Sequence, residues 1–72
     1  MKLTIKNNDF TKGEIIKIIR EWSAKTQKEF GKGIKRSEVS VQKYEADEVN
    51  YSMQTFLDVA RDNDVIITLE KK

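Results

Sequence analysis

Side chains able to do covalent chemistry are scarce in this chain. It contains no cysteine and no histidine, which removes disulfide bridges, zinc sites built on thiolate or imidazole, and any nucleophile activated by an imidazole. There is no glycine-rich phosphate loop, and general acid or base work would fall to surface carboxylates. Asp62-Asn63-Asp64 has the acidic alternation of a calcium loop, but the turn glycine and the distant glutamate are missing, so it reads as a helix stop. Asn50-Tyr51-Ser52 fits the glycosylation pattern without any sign of a secretory route. The expectation is a protein that is not an enzyme and that holds no cofactor or metal.

What remains is recognition by charge and hydrogen bonding. The formal net charge is only +2, yet its distribution is uneven. Residues 1–44 hold eleven Lys/Arg and five Asp/Glu, whereas residues 45–64 hold six acids against Arg61 alone. Such a split suggests one face for an anionic partner and another that avoids it.

At 72 residues the chain is about half the usual size of one domain, so it is expected to be a single domain spanning 1–72. A chain this short buries only about 60% of the surface its unfolded form exposes, which leaves a marginal core unless a partner subunit helps. No apolar run approaches the roughly 18 residues of a membrane span, and Met1-Lys2-Leu3-Thr4 opens no signal-peptide core. A soluble, cytoplasmic protein with no membrane partner is expected.

Both ends read as short strands. Lys2-Leu3-Thr4-Ile5-Lys6 alternates polar and apolar residues and stops at Asn7-Asn8-Asp9, while Val65-Ile66-Ile67-Thr68-Leu69 is β-branched and follows a turn cluster. The two are expected to pair, within one molecule or across a dimer. Between them lie four helical signals. Thr11 with Glu14, and Thr26 with Glu29, have the three-residue offset of capping boxes, and Phe10 and Ile15 fit a hydrophobic staple.

The first helix should run to about Ala24, carrying Ile15, Ile16, Ile19 and Trp22 inward with Ile18 widening the stripe. That stripe is used by a small core rather than by a membrane surface. The second carries Phe30 and Ile34 inward and contains Gly31, with Gly33 weakening its end. The third starts at Ser37 and turns Val41 and Tyr44 to one side while Glu38, Val39, Gln42 and Lys43 point elsewhere. A polar loop from Ala46 to Tyr51 leads to Ser52, the cap of a fourth helix expected to bury Met53, Phe56, Leu57 and Ala60 and to end near Asp62.

Two short helices joined by a tight turn, the second opening on small polar residues, form the arrangement that lays one helix in the DNA major groove. The stretch Thr26-Gln27-Lys28-Glu29-Phe30-Gly31 through Ser37-Glu38-Val39-Ser40-Val41-Gln42-Lys43-Tyr44-Glu45 resembles, without a gap, the helix-turn-helix of the phage Cro and repressor (XRE-like) family. Gln27 opening the first motif helix, small Gly31 at the helix crossing and Val41 in the core slot carry the likeness, whose motif covers about residues 26–45. An arginine seven residues before that glutamine and a glutamate ending the recognition helix match Arg20 and Glu45.

The resemblance implies a mainly α, four- to five-helix Cro/repressor-type domain with short N- and C-terminal strands, and a partly buried Arg20–Glu45 ion pair. It implies base reading from the front of the third helix. Glu38 would accept from cytosine N4, Lys43 would donate to guanine O6 or N7, Val39 would pack on a thymine methyl and Gln42 would pair with adenine. Ser37 and Gln27, at helix starts, would meet phosphate, helped by Lys25, Lys28, Lys35 and Arg36. The expected role is a phage-type transcriptional regulator of a genetic switch in a bacterial host, bound to double-stranded operator DNA and able to dimerise. The alternative is a modulator or antirepressor that acts mainly by docking on a partner phage repressor.

Three positions depart from the family pattern. Lys35 stands where relatives place a left-handed glycine, so it either accepts a strain of roughly 1 kcal/mol or passes the turn to Gly33. Ala46-Asp47-Glu48 is acidic where relatives carry glycine and a base, and would repel DNA if it faced it. Lys25 replaces an apolar residue, a gap that Trp22 is placed to cover.

Overall fold

The computed structural model describes the backbone of Lys2–Leu3 and residues 10–68 in full. In chain order the elements are β1 (Lys2–Leu3), α1 (Lys12–Trp22), α2 (Gln27–Gly33), α3 (Glu38–Glu45), α4 (Met53–Asp62) and β2 (Ile66–Ile67).

All four helices start by one local rule. Thr11, Thr26, Ser37 and Ser52 are extended N-caps whose hydroxyls accept from the backbone N–H three residues on, at Glu14, Glu29, Ser40 and Thr55. Glu14 and Glu29 return the bond to the N–H of Thr11 and Thr26, each at 2.9 Å, closing two capping boxes. Accepting from Thr26 holds the Glu29 carboxyl below its ordinary range.

The helix ends share a rule that was not legible in the sequence. Ala24, Lys35, Asp47 and Asp64 all lie at φ between 54° and 58°, and no glycine does. In each case the left-handed residue and its successor donate back to the last turn, as in Lys35 N–H to Lys32 O (3.3 Å) and Arg36 N–H to Gly31 O (2.8 Å). Four Schellman ends are thus built without glycine. Lys35 accepts the strain, and Gly33 stays inside α2.

The glycines serve close packing instead. A Cβ on Gly31 would lie 2.6 Å from Arg36 O and 3.1 Å from Val41 Cγ2, and one on Gly13 would lie 2.6 Å from Glu45 O. These are mostly backbone atoms, which cannot swing aside. Gly31→Ala is therefore expected to destabilise: the gain in helix propensity, up to about 1 kcal/mol, is outweighed by overpacking of roughly 1–3 kcal/mol. A lowered urea midpoint with unchanged m-value would register it.

Ile15, Ile16 and Ile19 of α1, Phe30 and Ile34, Val41 and Tyr44 of α3, Tyr51, Val59, Ala60 and Val65 form one core. Several expectations need correction. α1 stops at Trp22 because Ala24 turns left-handed, and Trp22 is half exposed rather than inward. The four helices expected between the chain ends are all found among the described residues. α4 is rotated from the expected face: Met53 and Leu57 are exposed, while Thr55, Val59, Ala60 and Asn63 are buried and Phe56 is half-buried. Polar residues tolerate that face because they are satisfied locally. Thr55 Oγ1 lies 3.1 Å from Ser52 Oγ, and Asn63 Nδ2 donates to Val59 O at 2.8 Å.

The chain ends do pair, in parallel and within one molecule, with Lys2 opposite Ile66 and Leu3 opposite Ile67. The remaining positions of the expected strands, 4–6 and 69, lie outside the described residues.

Candidate nucleic-acid interface

α3 is held as an outward-facing rod. Its inner side chains, Val41 and Tyr44, are buried, and it packs on α2 and α1. Glu38, Val39, Gln42 and Lys43 are exposed, and none of the four side chains is engaged in a hydrogen bond or ion pair among the described residues. Together they offer an acceptor, an apolar surface, an amide and a donor along one rod.

The far end of α3 is clamped by charge. Arg20 Nε donates to Glu45 Oε2 at 2.7 Å and Nη2 to Oε1 at 3.1 Å, a two-pronged pair whose side chains are only 17% and 7% exposed. Arg20 Nη1 also donates to Lys25 O at 3.1 Å, so one guanidinium ties α3 to the α1–α2 turn. The hydrogen bond to Glu45 holds the Arg20 pKa above its already high ordinary value, against the effect of burial. Gln27 Nε2 donates to Glu45 Oε1 at 3.3 Å.

Lys35 and Arg36 precede the near end of α3, while Lys28 follows Gln27 at the start of α2; all three are exposed, and Ser37 caps α3 with its own hydroxyl turned to Ser40 Oγ at 3.0 Å. Ser37 Oγ is thus occupied within the cap, and Gln27 is turned partly inward to Glu45; what these two positions leave outward are first-turn N–H groups. Lys25 is a correction. Its ammonium reaches Asn63 Oδ1 (2.8 Å) and Asp62 Oδ2 (3.2 Å) at the end of α4, so a polar contact within the fold stands where an apolar one or a phosphate one was expected.

The acidic segment after α3 has a structural task that sequence reasoning missed. Asp47 Oδ1 accepts from Gly13 N–H at 2.8 Å, placing a carboxylate at the N-terminus of α1, where the helix dipole favours it. Beside it, Tyr51 OH donates to Lys12 O and Lys12 Nζ to Tyr51 O, both at 2.8 Å, with the ammonium 4.5 Å above the Tyr51 ring. Tyr51 meets Tyr44 edge-on at 5.5 Å. Partners 34 and 39 residues apart leave no local signal.

Burial, with a smaller push from the Asp47 charge, raises the Tyr51 phenol to about 12. A phenol retained neutral in the fold while the unfolded chain ionises near 10 makes stability fall as pH rises from about 10 toward 12. Urea unfolding across that range should show the loss, and Tyr51→Phe, which cannot ionise, should flatten it.

Lys35 couples strain to charge. Lys35→Gly should raise stability by about 0.5–1 kcal/mol by relieving the left-handed side chain. A raised thermal midpoint is the expected result.

Among the described residues no cluster of three or more acidic side chains could hold a metal ion, and no helix is long and apolar enough to cross a membrane. No family model and no curated protein matches this chain. Among solved structures, a HipB variant in complex with an O2 20mer is similar to it, with a TM-score of 0.66 at 18% sequence identity, covering 93% of this chain and 97% of that chain. That likeness, with two helices meeting at the Lys35 turn, places the chain in the helix-turn-helix fold.

Proposed function

We propose that this chain is a transcriptional regulator of a phage-type genetic switch, acting in the cytoplasm of a bacterial host, and that α3 reads double-stranded operator DNA in the major groove. The observation that carries the reading is the outward row of Glu38, Val39, Gln42 and Lys43, free of side-chain partners among the described residues, on a helix clamped at both ends. Glu38 and Gln42 address cytosine and adenine, Lys43 addresses guanine, and Val39 packs on a thymine methyl. Lys28, Lys35, Arg36 and the first-turn N–H groups near Gln27 and Ser37 address phosphates and set register. The solved neighbour was captured in complex with a 20mer, which agrees with this use of the fold. On this reading the chain is no enzyme and needs no cofactor, and a homodimer would read two half-sites.

A second reading is favoured by Glu38 and by Val39, which is 56% exposed, at the leading end of α3. An acid and an apolar side chain there suit docking on the basic DNA-reading face of a partner phage repressor, as a modulator or antirepressor would. A mobility shift on the chain's own control region separates the two, run at two salt concentrations with and without the neighbouring repressor. Operator reading predicts a shift by this protein alone that weakens steeply with salt. No shift alone, with an altered repressor shift, establishes the second reading.

A further inference from the structure

A recess of about 200 Å³ opens between the start of α1 and the start of α4, lined by Lys12, Ile15, Tyr51, Ser52, Met53 and Phe56. Its walls belong to the core. Ile15 and Tyr51 are buried core members, Phe56 packs against them, and the Tyr51 and Phe56 rings stack with centroids 6.2 Å apart. Met53, 70% exposed, stands at the rim. An apolar cavity of about 150 Å³ is enough to take a benzene ring, so this recess has room for one ring or a short chain but not for a helix or strand of a partner.

One charge borders this apolar space. Lys12 Nζ donates to Tyr51 O at 2.8 Å and lies 4.5 Å above the Tyr51 ring, which fixes the ammonium at the wall and leaves two of its three donors unspent among the described residues. No carboxylate pairs with it there. The Asp47 carboxylate, whose charge reaches Tyr51, is bonded to Gly13 N–H and is not part of the wall. Both hydroxyls of the wall are engaged, Ser52 Oγ with Thr55 and Tyr51 OH with Lys12 O. A neutral polar ligand therefore finds no free hydroxyl, and a cation meets the ammonium. An apolar body with one negative group suits both the wall and Lys12.

We propose that this recess binds a small carboxylate bearing one ring or a short apolar chain, with the carboxylate on Lys12 Nζ and the apolar part against Ile15, Tyr51 and Phe56. This goes beyond operator reading and does not depend on it: no residue of α3 lines the recess, and binding is measured without DNA.

Phenylacetate, its uncharged isostere phenylacetamide, and acetate, which lacks the apolar body, test it when each is titrated at neutral pH while amide and methyl resonances of the full chain are followed. Phenylacetate should shift Lys12, Ile15 and Tyr51 through Phe56, with smaller shifts at Tyr44, whose ring meets Tyr51. Its Kd should be on the order of 1 mM, as befits a ligand of about ten heavy atoms. Phenylacetamide should bind at least about fivefold more weakly, because it lacks the charge-assisted bond. Acetate should leave the recess unshifted. Lys12→Gln should bring phenylacetate down to the level of the amide and leave the amide unchanged. Met53→Glu puts a like charge at an exposed position and should weaken phenylacetate alone, which keeps the test decisive if Lys12→Gln perturbs the fold.

No recess shift at about 20 mM phenylacetate overturns the proposal. So does equal binding of acid and amide, which gives the space to an uncharged apolar group, or equal shifts from acetate. Recess shifts that follow protein concentration alone assign it to a second copy, and nuclear Overhauser contacts from residues 4–9 into it assign it to the chain's own start; either result overturns the proposal as well.

Discussion

Replacing Glu45 by alanine is expected to cost about 3–5 kcal/mol, because it leaves the mostly buried Arg20 guanidinium without its counter-charge. The geometry argues for this scale over the roughly 0–1 kcal/mol of an exposed pair. Both prongs of the bond are made at 2.7 and 3.1 Å, and the carboxylate is 7% exposed. After the substitution Arg20 keeps, among the described residues, the hydrogen bond to Lys25 O and a weaker attraction to Glu21, and Gln27 loses its acceptor as well. A loss of that size is a large fraction of the stability of so small a domain. Replacing both partners by apolar residues of similar volume should cost much less than the single change, since no charge is then stranded. Urea unfolding of the three proteins measures the difference. A Glu45→Ala loss below about 1 kcal/mol would show that the clamp on α3 carries no weight.

The second large effect concerns DNA. Lys43→Ala should weaken binding by about 1–3 kcal/mol and relax discrimination at one base pair, because an exposed donor on the reading face is removed. Lys28→Ala should weaken binding to every sequence alike and lower the salt slope by about one, because that cation lies on α2, beside the rod rather than on it. Fluorescence anisotropy with a matched and a single-substituted duplex, each at several salt concentrations, distinguishes the two patterns. Equal losses on both duplexes from Lys43→Ala would remove it from base reading.

The exposed face of α3 was legible because it depends on local facts: Ser37 caps, Val41 and Tyr44 share one side, and what remains points out. Helix starts were legible for the same reason, each being a hydroxyl whose partner lies three residues on. Helix ends were legible in part: α3 and α4 end at Glu45 and Asp62 as expected, but of the left-handed closing residues Ala24, Lys35, Asp47 and Asp64 only Lys35 was signalled, because their types carry little left-handed preference or, for aspartate, only some. The face of α4 was misread because two stripes compete. Of the expected Met53, Phe56, Leu57 and Ala60, the core keeps Ala60 and packs against Phe56, but it takes Thr55, Val59 and Asn63 in place of Met53 and Leu57, the polar atoms of Thr55 and Asn63 being satisfied locally.

Lys25 and Asp47 show the other limit. Both are charges whose types suggest solvent or phosphate, and both are fixed by partners far along the chain, Lys25 at the end of α4 and Asp47 at the start of α1. Their placement also changes the electrostatic picture. The Asp47 carboxylate, expected to oppose DNA, is held against the N–H of Gly13, and the basic rim around α3 is reduced to Lys28, Lys35, Arg36 and Lys43.

The claim that α3 is the reading face is tested most directly by following backbone amide resonances as a duplex from the chain's own control region is added. The account predicts that the largest shifts fall on Ser37 through Lys43, with smaller ones at Gln27, Lys28, Lys35 and Arg36, and that they fade as salt is raised. Shifts confined to α4 and β2, or none at low salt with the protein still folded, would contradict it.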